Sequence, residues 1–181
     1  GSMAAVLGLD YAAVETLCAA AREGDEVLVP ANDNAPGQVV VSGSAEAVRR
    51  AVMIAREHGA RKAVELNVSG AFHSPLMESA ARALADELDG LEVTTARIPV
   101  VSNFDAEPVR DPTGIRARLL AQLTAPVRWV ACVETLRGMG AREFLEPGPG
   151  AVLTRLLKRI DRGLEGRAVG EPADVEEVPA T

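Results

Sequence analysis

Apolar residues in the first 66 positions alternate between strand-like and helix-like spacing. The predicted strands are Ser2 to Leu7, Glu26 to Asn32, Val39 to Ser42 and Lys62 to Leu66. Helices are predicted after Asp10 and after Ser44, because both side chains can accept hydrogen bonds at a helix N-terminus. Asn34-Ala35-Pro36-Gly37 predicts a turn between the two middle strands. The resulting order β-α-β-β-α-β predicts a ferredoxin-like lobe over residues 1–66.

Residues 67–170 follow a second pattern, in which helical and strand-like segments alternate. The predicted helices are Pro75 to Leu88, one that begins at Asp111-Pro112, Trp129 to Gly138, and one marked by Val152, Leu156 and Ile160. Strands are predicted at Pro99 to Ser102 and Arg142 to Leu145. The alternation indicates a parallel sheet covered by helices, so the fold class is α/β. Two or three strands make too small a sheet to cover such apolar helices, which indicates that the sheet is missing partner strands. Residues 171–181 are predicted to be an acidic tail.

Composition excludes several classes of function. The chain has 181 residues, 48 % of them hydrophobic, which is enough for a packed core. A net charge of −7 and 3 % aromatic residues argue against nucleic acid as a partner. No apolar run reaches the ~18 residues that a membrane span needs. No metal-ligand cluster can be drawn from two histidines and two cysteines scattered singly.

The cysteines and the N-terminal sequence indicate the compartment. Cys18 and Cys132 both fall on apolar stripes of predicted helices, so they are predicted to be buried and unpaired. No charged-then-apolar leader with a cleavage site is present in the sequence. Together these features predict a cytoplasmic protein in a reducing environment.

His73 is the strongest candidate for chemistry. Ser74 is a good N-cap and Pro75 suits the first helical position, so His73 lies on a loop whose direction a packed helix fixes. Such a mounting suits a general base, but a polar loop residue would show the same spacing. A base needs a nucleophile, and the chain contains no Gly-x-Ser-x-Gly motif. The residues alone leave both interpretations of His73 open.

Two further features have a structural and a functional interpretation. Gly148-Pro149-Gly150 before a helix could cradle a phosphate, although a tight turn is favoured because no Lys-Ser/Thr follows. Arg61-Lys62 is either a solvated strand start or an anion contact. The basic residues from Arg155 to Arg162 are either a solvated helix face or a docking patch.

Six segments of the chain resemble malonyl-CoA:acyl carrier protein transacylases of bacterial fatty acid synthesis, in order and in spacing. They are Met3 to Leu9, Asn34 to Val40, Val68 to Met77, Pro99 to Asn103, Gln122 to Trp129 and Glu146 to Thr154. The resemblance extends to about residue 170 of the sequence. It implies that residues 67–170 are the C-terminal portion of an α/β-hydrolase-like acyltransferase lobe.

The resemblance also implies a mechanism. In that family a serine takes the malonyl group from malonyl-CoA as an ester and passes it to the phosphopantetheine thiol of acyl carrier protein. His73 would be the base and acid, and Gln122 would orient it through its backbone carbonyl. Phe72 would crowd out branched acyl groups. Positions that line the carrier side of the cleft are Asn32, Asn34, Gln38, Arg61 and Lys62; the family usually has Lys-Arg where this chain has Arg61-Lys62.

The family pattern places the nucleophilic serine in a segment preceding the one that this chain resembles. We therefore expect the chain to supply only the histidine half of the site and to be inactive alone. The expected partners are acyl carrier protein, malonyl-CoA and the missing N-terminal portion of the same enzyme, and no bound cofactor is expected. Two alternatives stay open: an acyltransferase domain of a polyketide synthase, or a non-catalytic fragment that binds carrier protein or CoA.

Overall fold

The structure is a computed structural model that describes residues 1–176. The chain divides into two compact units, one covering residues 1–132 and one beginning at Val133. Both units combine helices and strands, as the predicted α/β class requires. This division does not address the predicted lobes 1–66 and 67–170, whose boundary stays a prediction.

The first four strands form one antiparallel sheet in the order β2-β3-β1-β4. The strands are β1 Ser2–Leu7, β2 Leu28–Ala35, β3 Gln38–Gly43 and β4 Lys62–Glu65. Helix α1, Tyr11–Ala21, connects β1 to β2, and helix α2, Ala45–Ile54, connects β3 to β4. The order of these six elements is the predicted one.

Helices α1 and α2 pack on one face of this sheet. Val6 and Val41 point to that face and join a buried cluster with Leu17 and Val48 of the helices. Successive side chains of a strand point to opposite faces. A second, smaller buried cluster of Met3, Ala31 and Val40 therefore lies on the face opposite the helices.

The hairpin between β2 and β3 is tighter than the sequence indicated. Strand β2 continues to Ala35, which pairs with Gln38, so that only Pro36 and Gly37 form the turn. Gly37 has a φ of 70°, a value that glycine adopts without steric cost. The predicted end of this strand at Asn32 and the four-residue turn were wrong, because Asp33 and Ala35 still pair with β3.

The two N-caps behave differently. The Asp10 carboxylate accepts a hydrogen bond from the amide of Ala13 at 2.8 Å, as predicted. Ser44 precedes α2 but makes no capping bond to it. Its hydroxyl instead accepts a hydrogen bond from the amide of Val27 at 3.3 Å, which joins the start of α2 to the segment before β2.

The remainder of the first unit contains helices and one short strand pair. A 3-10 turn, Pro75–Met77, leads into α3, Glu78–Asp89, in place of one continuous helix. Strands β5, Val100–Val101, and β6, Pro108–Val109, form a short antiparallel pair. The parallel arrangement predicted for the first of these strands was wrong, because it pairs with a strand that the sequence did not indicate. Helix α4 covers Pro112–Thr124. Helix α5 covers Trp129–Gly138 and contains the division between the two units.

The second unit contains a parallel strand pair. Strands β7, Glu143–Pro147, and β8, Glu165–Val169, are joined by helix α6, Val152–Ile160. Strand β8 was not predicted. A short helix α7 covers Pro172–Glu176, and residues 177–181 of the predicted acidic tail lie outside the described residues.

Glu146 decides between the two interpretations of Gly148-Pro149-Gly150. Its carboxylate accepts hydrogen bonds from the amides of Leu153 and Thr154, at 2.9 and 2.7 Å. These bonds lower the pKa of the carboxyl group. Two amides at the start of α6 are thus bound to the protein's own carboxylate, which favours the structural interpretation of the segment over a phosphate cradle.

Both cysteines are buried and free, as predicted. Burial raises the pKa of the Cys18 thiol to about 12 and that of Cys132 to about 11. Among residues 1–176, none of the helices combines the length and the apolar character that crossing a bilayer requires.

Large apolar side chains are exposed in both units. In the first unit, those after residue 66 are Val68, Phe72, Leu76, Leu91, Ile98, Val100 and Phe104. In the second unit they are Met139, Leu145, Val152, Leu153 and Val175. The helix-covered face of the first sheet is packed, whereas these later segments present uncovered apolar surface.

We expect Leu17→Ala to lower the free energy of unfolding by about 2–5 kcal/mol, because Leu17 is 0 % exposed in the main buried cluster. Met53→Ala is the matched control, since Met53 is also helical but 73 % exposed. Chemical denaturation followed by circular dichroism measures both. An equal loss for the two variants would contradict this packing.

Candidate functional site

The central contact of the site joins His73 to the backbone of Gln122. The Nδ1 atom of His73 lies 2.7 Å from the carbonyl oxygen of Gln122. A carbonyl oxygen can only accept, so Nδ1 carries the proton and donates. In the neutral ring this leaves the Nε2 lone pair to accept a proton, as a general base requires.

The loop around His73 has an unusual backbone. His73 has a φ of 58°, in the left-handed region that residues other than glycine rarely adopt. The buried Ser74 hydroxyl donates to the carbonyl of Ala71 at 2.7 Å and accepts from the amide of Leu76 at 3.3 Å. Ser74 is therefore an N-cap, as predicted, and is tied to both sides of His73.

Gln122 is held by the end of α4 and by the sheet. Pro126 follows the helix and interrupts it, as predicted, and the next residue pairs with the edge strand β2. Val127 donates its amide to the carbonyl of Ala31 and accepts from the amide of Asp33, both at 2.8 Å. The antiparallel sheet thus anchors the connection that directly follows Gln122.

A cavity of about 160 Å³ adjoins Gln122 in the first unit. Its walls are mainly apolar and come from the β5–β6 pair and from α4: Val100, Val101, Val109, Ile115 and Leu119. Arg118 also lines it and forms an ion pair with Asp105 at 2.8 Å. Gln122 therefore borders a largely apolar cavity.

Phe72 lies directly before His73 in the chain and is 40 % exposed. Its ring rests on the backbone of Gly70, since a Cβ placed there would lie 3.2 Å from the ring. Gly70 therefore leaves room for the tip of the ring. The role predicted for Phe72, excluding branched acyl groups, stays a prediction.

Three of the predicted binding residues share one face of the antiparallel sheet. Leu7 pairs with Gln38 on one side and with Lys62 on the other, so both side chains lie on its face. Asn32 pairs with Val40, which belongs to the buried cluster on that same face. The register therefore brings Asn32, Gln38 and Lys62 to the face opposite α1 and α2.

Arg61 and Asn34 occupy less regular positions. Arg61 precedes β4 and donates its amide to the carbonyl of Leu7 at 2.8 Å, while its side chain is exposed. Asn34 lies at an irregularity of β2 between Asp33 and Ala35, where β3 offers no register partner. The predicted binding residues therefore do not form one row.

Two basic residues of the segment from Arg155 to Arg162 line a cavity of about 570 Å³ in the second unit: Lys158 in α6 and Arg162 after it. Arg167, Glu143 and Glu165 line it as well. The two carboxylates therefore offset part of the positive charge of this surface. Within the part of the chain that the structure describes, no three His, Cys, Asp or Glu side chains are grouped as metal ligands.

Sequence reasoning missed two contacts in these regions. The bond from the Ser74 hydroxyl to the Ala71 carbonyl has no signal in the sequence beyond the N-cap itself. The Glu146 carboxylate that holds the start of α6 lies seven and eight residues before its partners, outside the spacing of a local cap.

Comparison with known proteins shows which proteins the chain is similar to. The acyl transferase domain family matches residues 1–175. The malonyl CoA-acyl carrier protein transacylase of Bacillus subtilis is 40 % identical over 176 residues, which are 97 % of this chain and 56 % of that protein. The protein of the same name from Escherichia coli K12 is 42 % identical over 173 residues, 96 % of this chain and 56 % of its own length.

Solved structures give the same relationship. An acyl carrier protein S-malonyltransferase from Vibrio cholerae superposes with a TM-score of 0.93 at 44 % identity, covering 98 % of this chain and 58 % of that one. A malonyl-transacylase in complex with a type II polyketide synthase acyl-carrier protein superposes with a TM-score of 0.92 at 39 % identity, covering 97 % and 56 %.

The chain thus spans a little over half the length of the relatives that it matches. The family match itself covers nearly the entire chain, and it includes both His73 and Gln122. The chain belongs to the acyl transferase domain family.

Proposed function

We propose that this chain is part of an enzyme that transfers a malonyl group from malonyl-CoA to the phosphopantetheine thiol of acyl carrier protein, in fatty acid biosynthesis. The observation that carries the proposal is the 2.7 Å contact from His73 Nδ1 to the carbonyl of Gln122. Similarity to relatives named for this reaction supports the choice of substrate and carrier.

In the proposed mechanism His73 moves one proton in each half-reaction. Nε2 accepts the proton of a serine hydroxyl whose oxygen attacks the malonyl thioester carbonyl. The imidazolium then returns that proton to the departing CoA sulfur, leaving a malonyl ester on the serine. In the second half-reaction His73 accepts the proton of the phosphopantetheine thiol, whose sulfur attacks the malonyl ester. The proton then passes to the departing serine oxygen, so that the serine is regenerated. Gln122 accepts from Nδ1–H throughout and keeps the ring in one orientation.

The serine is proposed to come from another segment of the assembled enzyme. The sequence lacks a Gly-x-Ser-x-Gly motif, and the chain spans about 56 % of the Bacillus subtilis relative. The exposed apolar side chains at Phe72, Leu76 and Val100 suit a surface that such a segment covers. In this proposal residues 67–170 form the C-terminal part of an α/β-hydrolase-like lobe.

Residues 1–66 are proposed to act as a ferredoxin-like lobe that forms the carrier side of the cleft. The β-α-β-β-α-β order and the strand order β2-β3-β1-β4 support this assignment. Asn32, Gln38 and Lys62 share the helix-free face of the sheet and would contact the thioester carrier. Asn34 and Arg61 are assigned to the same side. A cytoplasmic location and a reaction without a bound cofactor are part of the proposal.

A polyketide pathway is the second candidate. The malonyl-transacylase with which this chain shares 39 % identity is bound to a type II polyketide synthase acyl-carrier protein. Both candidates use the same transfer chemistry and differ in the carrier. Comparing transfer to a fatty acid carrier and to a polyketide carrier by the assembled enzyme distinguishes them.

We expect the isolated chain to form no malonyl adduct. Incubation with malonyl-CoA followed by intact mass spectrometry should return the unmodified mass, while the Bacillus subtilis relative serves as the positive control. A stable malonyl ester on this chain would overturn the proposed division of the site and would identify a nucleophile within residues 1–181.

His73 and Gln122 should respond differently to substitution in an assembled enzyme. We expect a chimera, in which this chain replaces the matching part of the Vibrio cholerae enzyme, to lose roughly 10²–10⁴-fold in transfer rate on His73→Ala. Gln122→Ala should stay within a few-fold of the unsubstituted chimera, because only the backbone carbonyl of Gln122 contacts His73. His58→Ala is the control for removing a histidine.

Steady-state transfer of radiolabelled malonyl groups to carrier protein measures all three variants. Full activity of the His73→Ala chimera would contradict the assignment of the base. A Gln122→Ala loss as large as the His73→Ala loss would instead assign the orienting role to the amide side chain.

We propose that acyl carrier protein binds through a local positive charge, because carriers of this pathway are generally acidic and the net charge of −7 on this chain would repel them. We expect Lys62→Glu to weaken binding roughly three- to tenfold at low salt, and the difference to shrink at high salt. Arg22→Glu, an exposed charge reversal just after α1, is the matched control. Titration of acyl carrier protein by calorimetry measures both, and equal affinities would remove Lys62 from the docking site.

A further inference from the structure

The Ser74 side chain closes a small ring of hydrogen bonds around His73. Its hydroxyl donates to the carbonyl of Ala71, two residues before His73, at 2.7 Å. The same oxygen accepts from the amide of Leu76, three residues after His73, at 3.3 Å. Ser74 is 0 % exposed, so water does not compete for these bonds.

The backbone that this ring encloses is strained. His73 has a φ of 58°, and for a residue with a Cβ the left-handed region is less stable than the ordinary ones. Such a conformation persists only where surrounding contacts hold it. The Ser74 hydroxyl bonds hold the chain on both sides of that residue.

The strained conformation also sets the direction of the imidazole. In it Nδ1 reaches the carbonyl of Gln122, which is 49 residues further along the chain and lies at 2.7 Å. If the backbone of His73 relaxed to a negative φ, its Cβ would point elsewhere and this bond would not form. The tautomer with Nε2 unprotonated therefore depends on the loop as well as on Gln122.

We propose that Ser74 is a positioning residue for His73: its hydroxyl keeps the left-handed backbone that aims Nδ1 at the carbonyl of Gln122. An ordinary N-cap stabilises only the helix that follows it. The additional bond backward to Ala71 is what distinguishes this serine. The contribution of Ser74 to acyl transfer rests on the proposed function, whereas its effect on the orientation of the His73 imidazole does not.

Nuclear magnetic resonance of the full chain tests the proposal without an activity assay. Long-range proton–nitrogen spectra report which ring nitrogen of each histidine carries the proton, and the sequence has only two histidines. His58 serves as the internal control. The variants are Ser74→Ala, which removes the hydroxyl, and Ser74→Thr, which keeps one.

Ser44→Ala is the matched control among the serines. Ser44 also precedes a helix, and its hydroxyl also accepts an amide hydrogen bond, from Val27. Thermal unfolding of Ser44→Ala and Ser74→Ala measures how much the loss of each hydroxyl lowers the Tm, separately from any effect on the imidazole.

In the unsubstituted chain we expect His73 to be protonated at Nδ1. Ser74→Ala should lose the protected Nδ1–H signal and give a mixture of both tautomers, while Ser74→Thr and Ser44→Ala keep the signal and His58 is unchanged. An unaltered His73 tautomer in folded Ser74→Ala would overturn the proposal, even if its thermal stability fell.

Ser74→Cys keeps the test decisive if Ser74→Ala does not fold. The thiol fills the buried position but is a weaker hydrogen-bond donor. A reduced Nδ1–H signal in Ser74→Cys supports the positioning role, and a signal equal to that of the unsubstituted chain overturns it. Absence of acyl transfer in a chimera would instead count against the proposed function, so the two failures are distinguishable.

Discussion

The hydrogen bond from His73 Nδ1–H to the carbonyl of Gln122 is the interaction on which the rest of the site depends. A carbonyl oxygen fixes the tautomer by accepting only, and so it leaves Nε2 unprotonated in the neutral ring. Being uncharged, it stabilises an imidazolium less than a carboxylate would, which suits the reversible malonyl transfer that we propose. The acceptor belongs to the backbone, so its position depends on how α4 and the segment after it are held.

The antiparallel sheet holds that segment. Val127 pairs with β2 through hydrogen bonds at Ala31 and Asp33, just after Pro126 ends the helical region. The buried cluster between the sheet and its two helices keeps β2 in place through β3 and β1. The packed sheet thus positions the oxygen that accepts from His73, as well as the polar residues on its helix-free face.

Local chemistry made much of this predictable. The strands of the first 66 residues, the Asp10 cap, the Ser74 cap and the buried cysteines follow from spacing and side-chain type. The contact of His73 with Gln122 joins residues 49 apart, so no periodicity could indicate it; resemblance to a family supplied it. Strands β6 and β8 were missed because each is defined by its partner strand, and a two-residue strand such as β6 has no period of its own.

The left-handed backbone of His73 was also beyond the sequence, because no glycine or asparagine marks it. The most direct test of the account is the long-range proton–nitrogen spectrum of the unsubstituted chain. We expect this spectrum to show that His73 carries its proton on Nδ1, with Nε2 unprotonated in the neutral ring. A spectrum in which neutral His73 carries the proton on Nε2 would contradict it.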